Sequence, residues 1–269
     1  MILQNKSAII YGGAGSMGAA VAIALAGAGA KVFLTGRNIE PVQKVVNHIL
    51  ETGGKAEAGQ VDATIEAEVS RHIDEVKQKS GSIDISFNAV GVDVVMNIPL
   101  AEMSVADYVD PITKTMQTRF LTAKAAAKIM IAQQSGVILT LTATPGGIGY
   151  PYTGGFAPAC CAVENLCKNL ASELGIYGIR VVNIRSGGSP DSSVFKTAID
   201  HDPEAMKTVI GGMEADTMTK KLPSMTDIAN VAVFSASDMA AKITGVTVDV
   251  TGGTTSGLNY RVAPVPAKT

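Results

Sequence analysis

The stretch SAIIYGGAGSMGAAVAIALAGAGA, Ser7 to Ala30, decides the fold. Five mostly apolar residues, Ser7 to Tyr11, run straight into a cluster of four glycines, Gly12, Gly13, Gly15 and Gly18, and the cluster opens an alanine-rich segment of helical length, Ser16 to Ala28. A strand that is apolar throughout, instead of at alternate positions, is buried on both faces, as strands of a parallel sheet are. Glycines between such a strand and a helix let backbone N–H groups approach a pyrophosphate, and the helix N-terminus adds partial positive charge. The stretch therefore predicts the first strand–turn–helix unit of a parallel sheet. It names Gly12, Gly13, Gly15, Ser16, Met17 and Gly18 as the residues around a nucleotide's phosphates.

The same rhythm continues outward. Further strands are expected at Lys31 to Thr35, Ala56 to Asp62, Ile83 to Ala89, Gly136 to Thr142, Ile179 to Ile184 and Gly245 to Val250. Helix-length segments lie between them at Glu40 to Thr52, Ile65 to Ser80, Val105 to Gln134, Phe156 to Leu174, parts of Ser193 to Lys221, and Thr226 to Ser235. This βαβ alternation predicts an α/β fold, a Rossmann-like, doubly wound, parallel seven-stranded sheet in a single domain spanning 1–269. The stretch 187–222 reads as an irregular substrate-side lid, because ligands of such sheets bind beyond the carboxyl ends of the strands. The tail RVAPVPAKT, with two prolines, is expected to end without regular structure.

Composition narrows the partners. With 46% apolar residues, 17% charged residues and a net charge of -2, the chain has no basic surface excess to recruit nucleic acid or acidic lipid. A small-molecule substrate or cofactor is the expected partner. The N-terminal apolar run is too short for a signal sequence or a membrane span, which makes a cytoplasmic location the expectation. All three cysteines, Cys160, Cys161 and Cys167, fall in one helical segment. Cys160 and Cys167 are two turns apart, roughly 10 Å along the axis and beyond disulfide reach. No CxxC spacing occurs, and His48, His72 and His201 are remote in sequence, so no metal site is expected and the thiols read as small hydrophobes.

The second strand ends in TGRN. A carboxylate there would suit the ribose of NAD, whereas Arg37 suits a 2′-phosphate, so NADP(H) is favoured over NAD(H). The plainer use of Arg37 is a surface pair with Glu40. Asp62, at the end of the third strand, is placed to accept a hydrogen bond from the adenine amino group.

In the order of these pieces the chain resembles the short-chain dehydrogenase/reductases over nearly its whole length. Gly12 to Gly18 resembles the family's TGxxxGxG, with Tyr11 in place of Thr and Ser16 in place of the middle Gly. Asn88, Ala89, Val90 and Gly91 resemble its NNAG turn, GIRVVNIRSGG its IRVNxxxPG strand, and GVTVDVTGG its closing strand. The resemblance adds Asn88, Ala89 and Gly91 to the cofactor contacts. It implies a dimer or tetramer built on the helices at Val105 to Gln134 and Phe156 to Leu174.

The same resemblance exposes a departure. In the family, the helix corresponding to Phe156 to Leu174 opens with YxxxK, whose Tyr protonates the carbonyl oxygen while the Lys lowers the Tyr pKa and holds the nicotinamide ribose. Aligned on NLASELG, Phe156 stands at the Tyr position and Cys160 at the Lys position. The catalytic Ser falls on Ala143, between Thr142 and Thr144, and the Asn of the preceding helix falls on Thr115. A phenyl ring has no proton to give and a thiol no fixed positive charge. Tyr150 and Tyr152, just before the helix, are candidate substitute acids, as is Thr142 for the serine. Lys168 reads as an i,i+4 partner of Glu164 on a solvated face, and Asp191 as a helix cap beside the substrate mouth. Two functions follow: an NADP(H)-dependent oxidoreductase with an atypical active site, or a catalytically inactive NADP(H)-binding sensor or partner subunit.

Overall fold

A computed structural model describes residues 1–257. Seven strands, β1 (Ser7–Tyr11), β2 (Lys31–Gly36), β3 (Lys55–Gln60), β4 (Ile85–Asn88), β5 (Gly136–Ala143), β6 (Ile179–Ser186) and β7 (Val246–Val250), form one sheet in the order β3-β2-β1-β4-β5-β6-β7. Every pairing is parallel. The helices are α1 (Ser16–Gly27), α2 (Ile39–Glu51), α3 (Glu66–Ser80), α4 (Val105–Gln133), α5 (Phe156–Leu174), α6 (Ser193–His201), α7 (Pro203–Asp216) and α8 (Met225–Ala236).

The two-residue period of a strand explains the two-layered core. Ile10 faces one layer with Val21 and Leu25 of α1, Val46 of α2 and Ile228 of α8. Its neighbours Ile9 and Tyr11 face the other, with Ile73 of α3, Ala126 and Met130 of α4, and Leu174 of α5. Each buried Val, Leu, Ile or Met among them contributes about 1.5–3 kcal/mol of hydrophobic stabilisation. Chain order reverses between β1 and β4, so the turns after these two strands diverge and leave a crevice at the carboxyl edge of the sheet.

The stretch 187–222 holds α6 and α7, within the helix-length parts expected between Ser193 and Lys221, and is irregular around them. Ser192 and Asp202 cap their N-termini by accepting from the N–H groups of Phe195 and Ala205, and Pro203 occupies the first turn of α7. Neither helix contains a fully buried residue. They cover the carboxyl edge of the sheet without joining its core. The tail RVAPVPAKT lies outside the described residues.

Candidate active site

The glycine turn after β1 is shaped by two close approaches. Gly12 has φ +77, and a Cβ there would lie 2.7 Å from the Ala89 carbonyl oxygen of the turn after β4. A Cβ on Gly18 would lie 2.2 Å from the Gly12 carbonyl oxygen, which fixes how tightly α1 seats on the turn. Gly15 caps α1 without any side-chain hydrogen bond, and the first turn contains no acidic residue. The leading N–H groups of α1 thus remain available to an anion.

In front of this turn lies a cleft of about 330 Å³, lined among others by Gly12, Gly15, Arg37, Asp62, Ala89 and Gly91. Six of the residues read as cofactor contacts are therefore brought together. Arg37 is exposed and, among the described residues, has no ion-pair partner, so the pair with Glu40 is not formed. The hydroxyl and N–H of Thr64 donate to Asp62 Oδ1 at 2.7 and 2.9 Å and hold that carboxyl below its usual range. Gly13 and Asn88 serve the cleft without lining it. Gly13 donates its N–H to the Thr35 carbonyl at 2.8 Å. Asn88 Nδ2 donates to the Thr118 carbonyl and the Thr122 hydroxyl on α4, while its Oδ1 accepts from the Val90 N–H. This clamp orients the Ala89–Gly91 backbone.

A second cleft, of about 760 Å³, runs from Gly15, Ser16 and Met17 past Ala143 and Tyr150 to the underside of α6 and α7. Ser16 lines it, and its hydroxyl also meets the start of α6. It donates to Ser193 Oγ at 2.7 Å and accepts the Ser193 N–H at 2.8 Å, tying the glycine turn to the cap. The lining is largely apolar, with Met96, Val194, Phe195 and Met213 at the substrate side. A smaller chamber of about 200 Å³ opens from it between α4 and α5, and there Thr115, Ala143, Phe156 and Cys160 come together. The four positions aligned to the family's catalytic residues thus share one chamber and offer it a hydroxyl, a methyl, a phenyl ring and a thiol. Burial pushes the Cys160 thiol up to about 11, so it is protonated at neutral pH.

The candidate substitutes separate. Tyr150 lines the large cleft beside Thr144, Gly187 and Gly188. Tyr152 has φ +60, is 56% exposed, and lines neither cleft nor chamber. The Thr142 hydroxyl is committed, donating to Glu164 Oε1 at 3.0 Å and accepting from Asn183 Nδ2 at 2.8 Å.

Two readings of the sequence are corrected. Glu164 does not pair with Lys168 on a solvated face; it accepts two bonds from Arg185, at 2.6 and 2.9 Å, and Arg185 Nη1 reaches Asp249 at 2.8 Å. The sheet register aligns Thr142, Arg185 and Asp249 across β5, β6 and β7, and α5 lays Glu164 over that row. Not every thiol is a buried small hydrophobe: Cys160 and Cys167 are buried, whereas Cys161 is exposed. Asp191 does serve a helix N-terminus, that of α8: it accepts the Met225 N–H at 3.0 Å beside the N-cap Ser224. Sequence reasoning missed Arg119, which lines the chamber one helical turn after Thr115. Its spacing of four from the Asn-equivalent position was the available signal. Among the described residues no helix is long and apolar enough to cross a membrane.

Comparison with known proteins agrees with this arrangement. The family model described as enoyl-(acyl carrier protein) reductase matches residues 12–255. Tropinone reductase-like 1 of Erythroxylum coca is 34% identical over 271 residues, covering 97% of this chain and 94% of that protein. Levodione reductase of Leifsonia aquatica is 30% identical, covering 93% and 94%. A crystal structure of levodione reductase superimposes with a TM-score of 0.88 at 26% identity, over 95% of this chain and all of that one. With the family model matching residues 12–255 and relatives of 30% and 34% identity covering more than nine-tenths of it, this chain, with its glycine turn, switch-point crevice and seven-stranded parallel sheet, belongs to the short-chain dehydrogenase/reductase family, as an oxidoreductase of a fold that takes a nicotinamide cofactor.

Proposed function

We propose that this chain is an NADP(H)-dependent oxidoreductase of an apolar carbonyl or conjugated enone substrate, and that Tyr150 is its proton donor. When bound, the cofactor supplies a hydride. The residues fit it: the open N–H groups of α1 and the cradle at Gly12 and Gly18 suit a pyrophosphate. Arg37 stands without an ionic partner where an adenosine 2′-phosphate would lie, and Asp62 keeps one carboxylate oxygen free of the Thr64 bonds. Met96, Val194, Phe195 and Met213 exclude water and hold an apolar body against the reacting face. Tyr150 can donate its phenolic proton to an oxygen in that cleft.

The observation that carries this reading is the position of Tyr150 in the cleft beside Ala143 and Phe156, with Tyr152 outside it. Replacement Tyr150→Phe is expected to lower kcat with NADPH by about 10²-fold, the usual worth of a general acid, with NADPH affinity unchanged. Tyr152→Phe is expected to do nothing. Equal activity in wild type and Tyr150→Phe would remove Tyr150 from the mechanism.

A second reading, a non-catalytic NADP(H) sensor or partner subunit, is favoured by the side chains of Ala143, Phe156 and Cys160, which bring the chamber no acid or fixed charge. It expects no turnover on any carbonyl or enone panel, together with intact NADPH binding. Both readings allow assembly into a homodimer or homotetramer through α4 and α5, where Tyr108, Val109 and Phe120 are exposed.

A further inference from the structure

Arg119 is a buried cation with no anion. Its side chain lies on α4 at 6% exposure. Nη1 donates to Asn88 Oδ1, to the Val90 carbonyl at 3.1 Å and to Thr118 Oγ1 at 3.3 Å. Every one of these partners is neutral. Nε is buried without a partner, and among the described residues no carboxylate lies within ion-pair distance. A guanidinium held this way is strongly unfavourable unless something else answers its unused donors. Burial lowers its pKa to about 10, which still leaves it charged at neutral pH.

What it faces is a chamber. Arg119 lines the space of about 200 Å³ that also contains Thr115 and Cys160 and that opens past Gly91, Ala143 and Phe156 into the large cleft. Cys160, on the opposite helix, is near enough for the two groups to influence one another's ionisation. The thiol is several atoms shorter than the Lys of the YxxxK pattern, and the long side chain of Arg119 enters the same space from the other wall.

We propose that Arg119 supplies from α4 the fixed positive charge that α5 lacks at Cys160, and that its Nη2, which makes none of the bonds above and is not enclosed as Nε is, holds the sugar hydroxyls of the cofactor's nicotinamide half. A vicinal diol offers closely spaced acceptor oxygens that match the planar fork of a guanidinium. This rests on the nucleotide-binding reading above. The competing role is purely structural: Arg119 pins the turn after β4 through Asn88 and Val90, and that turn lines the adenosine side as well.

Calorimetric titration with two probes separates these. NADPH carries the nicotinamide ribose; adenosine 2′,5′-bisphosphate does not. Arg119→Met is expected to weaken NADPH about 10- to 100-fold, the worth of a hydrogen bond to a charged group, and to leave the bisphosphate within about twofold. Adding Cys160→Lys to that variant is expected to restore NADPH affinity to within about threefold of wild type. Equal weakening of both probes, without rescue by the lysine, assigns Arg119 a structural role and overturns the proposal, as does an Arg119→Met protein that binds NADPH normally. If Arg119→Met does not fold, Arg119→Lys carries the test, because it keeps the charge and loses the planar fork: a loss of about 10-fold or more confined to NADPH supports the contact with the nicotinamide half, and equal weakening of both probes, or unchanged NADPH affinity, rejects it. A wild-type protein that binds neither probe refutes the nucleotide-binding reading itself.

Discussion

At Gly18 a single methyl group separates two outcomes. A Cβ there falls 2.2 Å from the Gly12 carbonyl oxygen, a contact between two backbones that no rotamer change relieves. At Gly15, three residues earlier, a Cβ meets only that same oxygen at 3.5 Å, an ordinary van der Waals distance, and φ is -70. Gly18→Ala is expected to push α1 off the turn, to destabilise the protein by about 1–3 kcal/mol and to weaken NADPH binding at least about 10-fold. Gly15→Ala is expected to keep the melting temperature of the wild type. Thermal melts and calorimetry on the pair check this, and similar melting temperatures for both variants would refute the steric argument. This motif was legible in the sequence because its four glycines fall within seven residues and follow a strand. Arg119 was not, since an arginine in an amphipathic helix reads as a solvated residue until the partner helix is seen to close over it.

Among the elements, α3 and β3 meet at His72 and Gly59. A Cβ on Gly59 would lie 2.6 Å from His72 Nε2, so the ring lies flush against the strand. Its Nδ1 is buried without a partner. Burial lowers the His72 pKa from 6.5 to about 4, because the charged form would lose its hydration there. The unfolded chain takes up this proton as pH falls through about 6.5, and the folded chain does so only near 4. The stabilisation is therefore complete above 6.5 and declines as pH falls toward 4, by up to about 3 kcal/mol. Denaturant unfolding between pH 4 and 7 is expected to show this slope in the wild type and a shallower one in His72→Met. Identical slopes would mean that His72 titrates normally. The core elements were legible because continuous apolar runs mark strands buried on both faces. By contrast α6 and α7 have no fully buried residue, so no core-facing stripe marks where within Ser193 to Lys221 they begin and end. The Glu164–Arg185–Asp249 row was hidden for another reason. It exists only once β6 and β7 are in register and α5 crosses them, joining residues 21 and 64 positions apart.

For the whole molecule, the cofactor is the one ligand expected to touch both ends of the crevice, from Arg37 beyond β2 to Tyr150 beneath the α6–α7 cap. A ligand that binds only the folded chain stabilises it by RT ln(1 + [L]/Kd), about 2.7 kcal/mol at a hundred times Kd. For a chain of 269 residues this raises the melting temperature by about 5 °C. NADH at the same concentration lacks the 2′-phosphate for Arg37 to hold. If that contact is worth about a hundredfold in affinity, the NADH shift falls to about 1 °C or less. Arg37→Ala should bring the NADPH shift down to the NADH value while leaving the unliganded melting temperature in place, because the exposed guanidinium has no ionic partner to lose. Equal shifts from the two cofactors in the wild type would transfer the preference to NAD(H), and the lone Arg37 would then be an ordinary surface charge. Unequal shifts that survive Arg37→Ala would place 2′-phosphate recognition elsewhere on the cleft wall, where Lys114 is the other cation.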